Sequence, residues 1–112
     1  RDDDVRQVFV DERIRDYMVA LVRATRRPRD IGLGELAPLV AFGASPRATL
    51  AFSDAARGMA FLRGRGYVVP EDVKEIAKDV LRHRVLLTYE AEAENVTSDT
   101  VVDRILERVE VP

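Results

Sequence analysis

Gly43-Ala44-Ser45-Pro46-Arg47-Ala48 is the segment of this sequence best suited to meet a phosphate. Serine followed by proline is a strong helix start, because the hydroxyl accepts from an orphan amide and proline at the first helical position forfeits no hydrogen bond. Arg47 then falls in the first turn, beside unpaired backbone amides and at the positive end of the helix dipole. Its guanidinium is a planar fork of donors matched to terminal phosphate oxygens. Gly43 and Ala44 leave room for a bulky ligand or another domain to come close. A surface arginine behind a well-formed cap explains the same residues more plainly, and this segment alone does not separate the two readings.

Other chemistries find less support. His83 is the only histidine, placed near a helix C-terminus where a charged imidazole simply favours the dipole, so a nucleophilic triad is not supported. With no cysteine in the chain, a thiolate nucleophile, a disulfide and a thiolate zinc site are all excluded. Glu90, Glu92 and Glu94 alternate at what reads as a strand end, where solvated carboxylates are the ordinary expectation, and no metal site is assigned. Gly32-Leu33-Gly34-Glu35-Leu36-Ala37 spells the dinucleotide pattern G-x-G-x-x-A, but Arg27-Pro28-Arg29 before it is no buried strand and Pro38 interrupts the helix that should follow. Asn95-Val96-Thr97 spells a glycosylation acceptor, relevant only to a secreted chain.

These residues have to be positioned by helices. Asp11 caps a helix whose Ile14, Tyr17, Met18, Leu21 and Val22 fall on one stripe. Upstream, Asp2, Asp3 and Asp4 suit a first helical turn, with Val5, Val8 and Phe9 as a short apolar face. Arg26 to Asp30 end the capped helix, and Gly32, Gly34 and Pro38 mark irregular chain up to Gly43, with Leu39 to Phe42 as a short strand. The next helix should run from Pro46 to about Arg63, its inward face built from Ala48, Ala51, Ala55, Ala56 and Ala60 with Phe52, Met59 and Leu62 between them. Gly64 and Gly66 end it. Pro70, Glu71 and Asp72 open a third helix, carrying Val73, Ile76, Ala77, Val80 and Leu81 inward and ending near His83. Val69 offers no side-chain cap, which predicts an unsatisfied amide there. Val85 to Tyr89 reads as a strand, best paired with Leu39 to Phe42. Thr97 or Ser98 caps a last helix presenting Val101, Val102, Ile105, Leu106 and Val109. The expected fold class is mainly α, a small bundle of about four main helices with at most a minor two-stranded β element.

Composition sets the class. At 112 residues the chain is one domain or the end of a larger protein, and 46% hydrophobic with 34% charged residues supplies one core and a solvated surface. A net charge of −2 argues against a nucleic-acid binder held by phosphate neutralisation. Lys74 and Lys78 are the only lysines among the 18 basic residues, a bias that genome composition explains as well as a need for bidentate donors. Neither a membrane span nor a secretory signal is encoded, so a cytoplasmic location is expected.

The run from Gly43 to Ala48 also resembles the sensor-2 motif of the MoxR family of AAA+ ATPases. Further matches follow in order: Asp16-Tyr17-Met18-Val19 and Ala24-Thr25-Arg26 before it, then Arg63-Gly64-Arg65-Gly66-Tyr67-Val68 and Pro70-Glu71-Asp72-Val73. Leu81-Arg82-His83-Arg84 and Tyr89-Glu90-Ala91-Glu92 complete the set. The resemblance covers Phe9 to Pro112, and although each motif is weak alone, the ordered set is specific.

It implies that residues 1–112 are the C-terminal helical lid of such an ATPase, a fragment whose α/β nucleotide-binding core is absent: no G-x-x-x-x-G-K-[ST] occurs. In the family the sensor-2 arginine contacts the nucleotide γ-phosphate, which places Arg47 in that role and Gly43, Ala44, Ser45, Pro46 and Arg47 at the nucleotide. ATP and Mg2+ would then act in the full-length protein, with neither bound tightly by this fragment. The implied partners are its own N-terminal core, neighbouring subunits of a ring, usually a hexamer, and von Willebrand factor A domain proteins, with chaperone-like remodelling as the activity. Arg82, His83 and Arg84, or Arg63 and Arg65, face the core or the next subunit if they are not solvated surface. Two further readings stand beside this one: a free-standing helical adaptor for partner proteins, and a nucleic-acid module using Arg26, Arg27 and Arg29, which the acidic balance disfavours.

Overall fold

The apolar stripes become helices, and the computed structural model describes residues 4–112. Asp2 and Asp3, read as first-turn carboxylates, lie outside the described residues. After a 3-10 turn at Val5–Gln7 come α1 (Glu12–Arg26), 3-10 turns at Pro28–Ile31 and Gly34–Leu39, and strand β1 (Val40–Phe42). Helices α2 (Ala48–Leu62) and α3 (Pro70–Leu81), strand β2 (Leu86–Leu87), and helices α4 (Tyr89–Ala93) and α5 (Ser98–Arg108) follow. The fold is mainly helical, with β1 and β2 forming an antiparallel two-stranded sheet that pairs Val40 with Leu87 and Phe42 with Leu86.

The helix starts follow their caps. The Asp11 carboxylate accepts from the Ile14 amide at 2.9 Å, and Thr97 opens α5 by accepting from Thr100 N at 3.1 Å, each satisfying a donor that the helix leaves unpaired. One core collects the inward faces: Met18 and Leu21 of α1, Phe52, Ala56 and Ala60 of α2, Val73 and Leu81 of α3, and Val101, Val102 and Ile105 of α5 are all buried. Lys78 to Asp103 at 3.0 Å and Arg82 Nε to Asp99 at 2.8 Å tie α3 to α5 on the surface.

Several expectations need correction. Leu62 does not face inward; it is 82% exposed, because it lies two residues beyond fully buried Ala60 and so on the opposite, solvent side of the helix. Ala51, Ala55 and Met59 are only partly buried against it. Phe9 is likewise exposed, since its backbone, not its ring, is used: its amide donates to Gly66 O and its carbonyl accepts from Val68 N, at 2.8 and 2.9 Å. The strand expected over Val85–Tyr89 is confined to Leu86–Leu87, because the Thr88 hydroxyl accepts from Ala91 N and starts α4. Glu90 and Glu92 therefore lie on a helix and Glu94 caps its end, not at a strand end. The amide that a capping side chain at 69 would have received, Asp72 N, is not left unsatisfied: it donates to Val69 O at 3.0 Å, and the Val69 amide in turn donates to Asp72 Oδ2 at 2.9 Å, half of a capping box supplied from the third helical position.

Arg65 and Arg82 are not free surface cations. Arg65 donates through both terminal nitrogens to buried Asp72, each at 2.6 Å, and Arg63 stands 3.8 Å from the same carboxylate. Arg82 is engaged by Asp99 and Asp79, and Arg84 donates to Val80 O at 2.7 Å. His83 lies exposed in the turn after α3.

Candidate functional site

Gly43 to Arg47 link β1 to α2 across the C-terminal end of α1. The crossing is close: a Cβ at Gly43 would stand 2.4 Å from Thr25 O and 2.6 Å from Arg26 N, so only glycine lets the two backbones touch. The next amide, Ala44 N, donates to Thr25 Oγ1 at 2.8 Å, and that hydroxyl donates onward to Val22 O at 2.6 Å. Arg26 Nη1 reaches Ala44 O at 3.4 Å.

The helix opening differs from the expected Ser-Pro cap. Pro46 and Arg47 form a turn, and α2 starts at Ala48 with Arg47 at its N-cap position. Ser45 Oγ accepts from Arg47 N at 3.2 Å, Ser45 O accepts from Ala48 N at 2.9 Å, and the Thr49 and Leu50 amides donate to Pro46 O and Arg47 O. The amides expected to stand unpaired beside Arg47 are thus consumed by a 3-10 turn that tightens the helix start. What remains for an anion is the Arg47 side chain and the helix dipole. Arg47 is exposed and makes no ion pair among the described residues. Gly43, Ala44, Ser45 and Pro46 form the backbone that leads into Arg47.

Beside this loop, Pro46 and Thr49 of the α2 entry face Val19, Val22, Arg23 and Arg26 of α1 across an open cleft of about 330 Å³. Two arginines give one of its walls positive charge. Among the described residues no three acidic, histidine or cysteine side chains are grouped to hold a metal ion, and no helix is long and apolar enough to cross a membrane.

Comparison with known proteins decides the family. The model of the AAA lid domain matches residues 36–105, the stretch that includes the whole Gly43–Arg47 loop. The chain belongs to the AAA lid domain family. The lid is 48% identical over 104 residues to the chaperone MoxR1 of Mycobacterium tuberculosis, covering 93% of this chain and 28% of that protein. It is 33% identical to the protein MoxR of Methylorubrum extorquens, covering 94% of this chain and 32% of the relative. A crystal structure of a protein assigned as an ATPase from Cytophaga hutchinsonii superposes with a TM-score of 0.93 at 41% identity, over 96% of this chain and 33% of the other. These likenesses make it a lid of the MoxR type, and it spans about a third of the length of the relatives it matches.

Two residues fall within the matched motifs, but their roles, Thr25 at the site and Asp72 in the turn between α2 and α3, escape a reading of motifs alone. Thr25 continues the Ile14, Met18, Leu21, Val22 stripe of α1, and a polar residue on a buried stripe is the signal that its hydroxyl has work inside the lid. Asp72 looks like an ordinary first-turn carboxylate, and nothing in its spacing announces the bidentate partner two turns of chain earlier.

Proposed function

We propose that residues 1–112 form the C-terminal helical lid of an AAA+ ATPase and that Arg47 is its sensor-2 arginine, contacting the nucleotide γ-phosphate and coupling lid position to ATP binding and hydrolysis. The family model stops short of α1, yet α1 contributes Ile14, Tyr17, Met18, Leu21 and Val22 to the same core as α2, α3 and α5, which supports one unit. The observation that carries the arginine assignment is that an exposed guanidinium, without an ion pair among the described residues, stands on a loop fastened to α1 in a chain of this family.

A fork of donors fixed before the reaction stabilises charge on a transferring phosphoryl group without reorganising, which is where such a residue acts. In this reading ATP supplies the phosphoryl group and Mg2+ acts with it in the full-length protein. The lid packs on the nucleotide-binding core within a ring, a hexamer by likeness to the family. The assembly remodels or matures partner proteins in the cytoplasm, von Willebrand factor A domain proteins among them.

ATPase turnover of the full-length protein with and without Arg47→Ala tests the assignment. Loss of one such donor lowers turnover by about a hundredfold or more. Unchanged turnover and nucleotide affinity overturn it and favour a helical adaptor.

A further inference from the structure

The way the arginine loop is fastened assigns a task to a residue that touches no ligand. Thr25 is 1% exposed, and so is Ala44, whose amide it receives. The hydroxyl has one proton, and donation to Val22 O at 2.6 Å commits it, turning a lone pair toward Ala44 N at 2.8 Å. Gly43 meanwhile rests on the Thr25 peptide, with no room for a side chain between them. Both contacts fall on the two residues that lead into the Ser45–Ala48 turn, and that turn is closed by its own hydrogen bonds. Arg47, lacking an ion pair among the described residues, takes its place from its backbone alone.

We propose that Thr25 is a positioning residue for Arg47: its buried hydroxyl sets the Gly43–Ala44 backbone and, through the rigid turn, where the guanidinium meets a nucleotide phosphate. This rests on the sensor assignment of Arg47. Without the hydroxyl the buried Ala44 amide has no acceptor and the loop shifts to find one. Displacements near 1 Å at a catalytic group cost up to about a hundredfold in rate.

The test uses the full-length ATPase carrying Thr25→Val or Thr25→Ser, each alone and combined with Arg47→Ala. Thr25→Val keeps the shape and removes the hydroxyl; the expected result is a fall in kcat of about tenfold to a hundredfold with KM changed far less. Thr25→Ser restores the hydroxyl and most of the rate. In the Arg47→Ala background Thr25→Val costs nothing further, the mark of two residues acting as one unit. Wild-type kcat for Thr25→Val beside an impaired Arg47→Ala overturns the positioning role alone. Equal proportional losses in both backgrounds also overturn it, since Thr25 then acts independently of the arginine. An unimpaired Arg47→Ala enzyme overturns the sensor assignment and the positioning role with it. Should Thr25→Val not fold, Thr25→Cys, which offers only a weakly accepting sulfur in place of the serine oxygen, enters the same comparison.

Discussion

Asp72 and Arg65 meet through two contacts of 2.6 Å across the turn that joins α2 to α3, with the Asp72 carboxylate fully buried. The same carboxylate accepts from the Val69 amide, so a single side chain closes the turn and starts the next helix.

Asp72→Asn should therefore destabilise the domain by about 1–3 kcal/mol at neutral pH, because the buried site keeps its donors and loses the charge that answers them. Burial pushes the Asp72 carboxyl up, but the Arg65 and Val69 hydrogen bonds, with the charges of Arg65 and Arg63, outweigh it and hold the group below the ordinary carboxylate range. A depressed folded-state pKa contributes stability that is present above the unfolded value of about 3.9 and lost as pH falls through the folded value. Denaturant unfolding of the two proteins should show a constant gap from pH 5 to 7 that closes below about pH 4. A gap that persists in acid would mean that the charge is not what the site requires.

Tyr17 carries the opposite situation. Its hydroxyl is buried and has no hydrogen-bond partner among the described residues, and burial first, then the Glu71 charge, raises its pKa and keeps it neutral. Thermal unfolding of Tyr17→Phe should show stability unchanged or higher by up to about 1 kcal/mol, since an unanswered polar group is removed with its shape retained. A marked loss would reveal a partner for that oxygen.

Two of the large apolar residues of α2 separate cleanly. Phe52 is fully buried and Leu62 is 82% exposed, so Phe52→Ala should cost about 3–5 kcal/mol while Leu62→Ala stays within about 0.5 kcal/mol. Chemical denaturation of both variants measures the difference. Comparable losses would place Leu62 against the core after all.

At Gly43 a single methyl group meets backbone, not a movable side chain, at 2.4 Å. Gly43→Ala is expected to lose about 1–3 kcal/mol as β1 and α1 are forced apart. The amide of Ala44 should at the same time lose its protection from hydrogen exchange, because its acceptor is carried away with α1. An alanine variant with wild-type stability and protection would contradict the close crossing.

Periodicity made the helices legible. The stripes over Ile14–Val22, Val73–Leu81 and Val101–Ile105 are long enough for burial to follow spacing, and the partnership of the two short strands followed from strand-forming residues bounded by helix stops. The failures lie at element ends, where a local hydrogen bond decides. Thr88 turned an expected strand residue, Tyr89, into the start of a helix, and the Ser45 turn delayed α2 by two residues. For the candidate site, residue types and likeness to a family point to Arg47 and its loop, although the opening of α2 departs from the expected Ser-Pro cap. Thr25 could not be read in this way, since its partner lies 19 residues away and only the fold brings them together.

The double backbone attachment of Phe9 gives the domain a mechanical character. With its amide on Gly66 and its carbonyl on Val68, and with the carbonyl of Val8 held by Arg57 Nε at 3.1 Å, tension drawn through the residues before Phe9 is delivered to α2 and the α2–α3 turn before it reaches the first turn of α1. Pulled from that side, the body responds as one piece, and α1 is shielded from being peeled away from its N-terminal end.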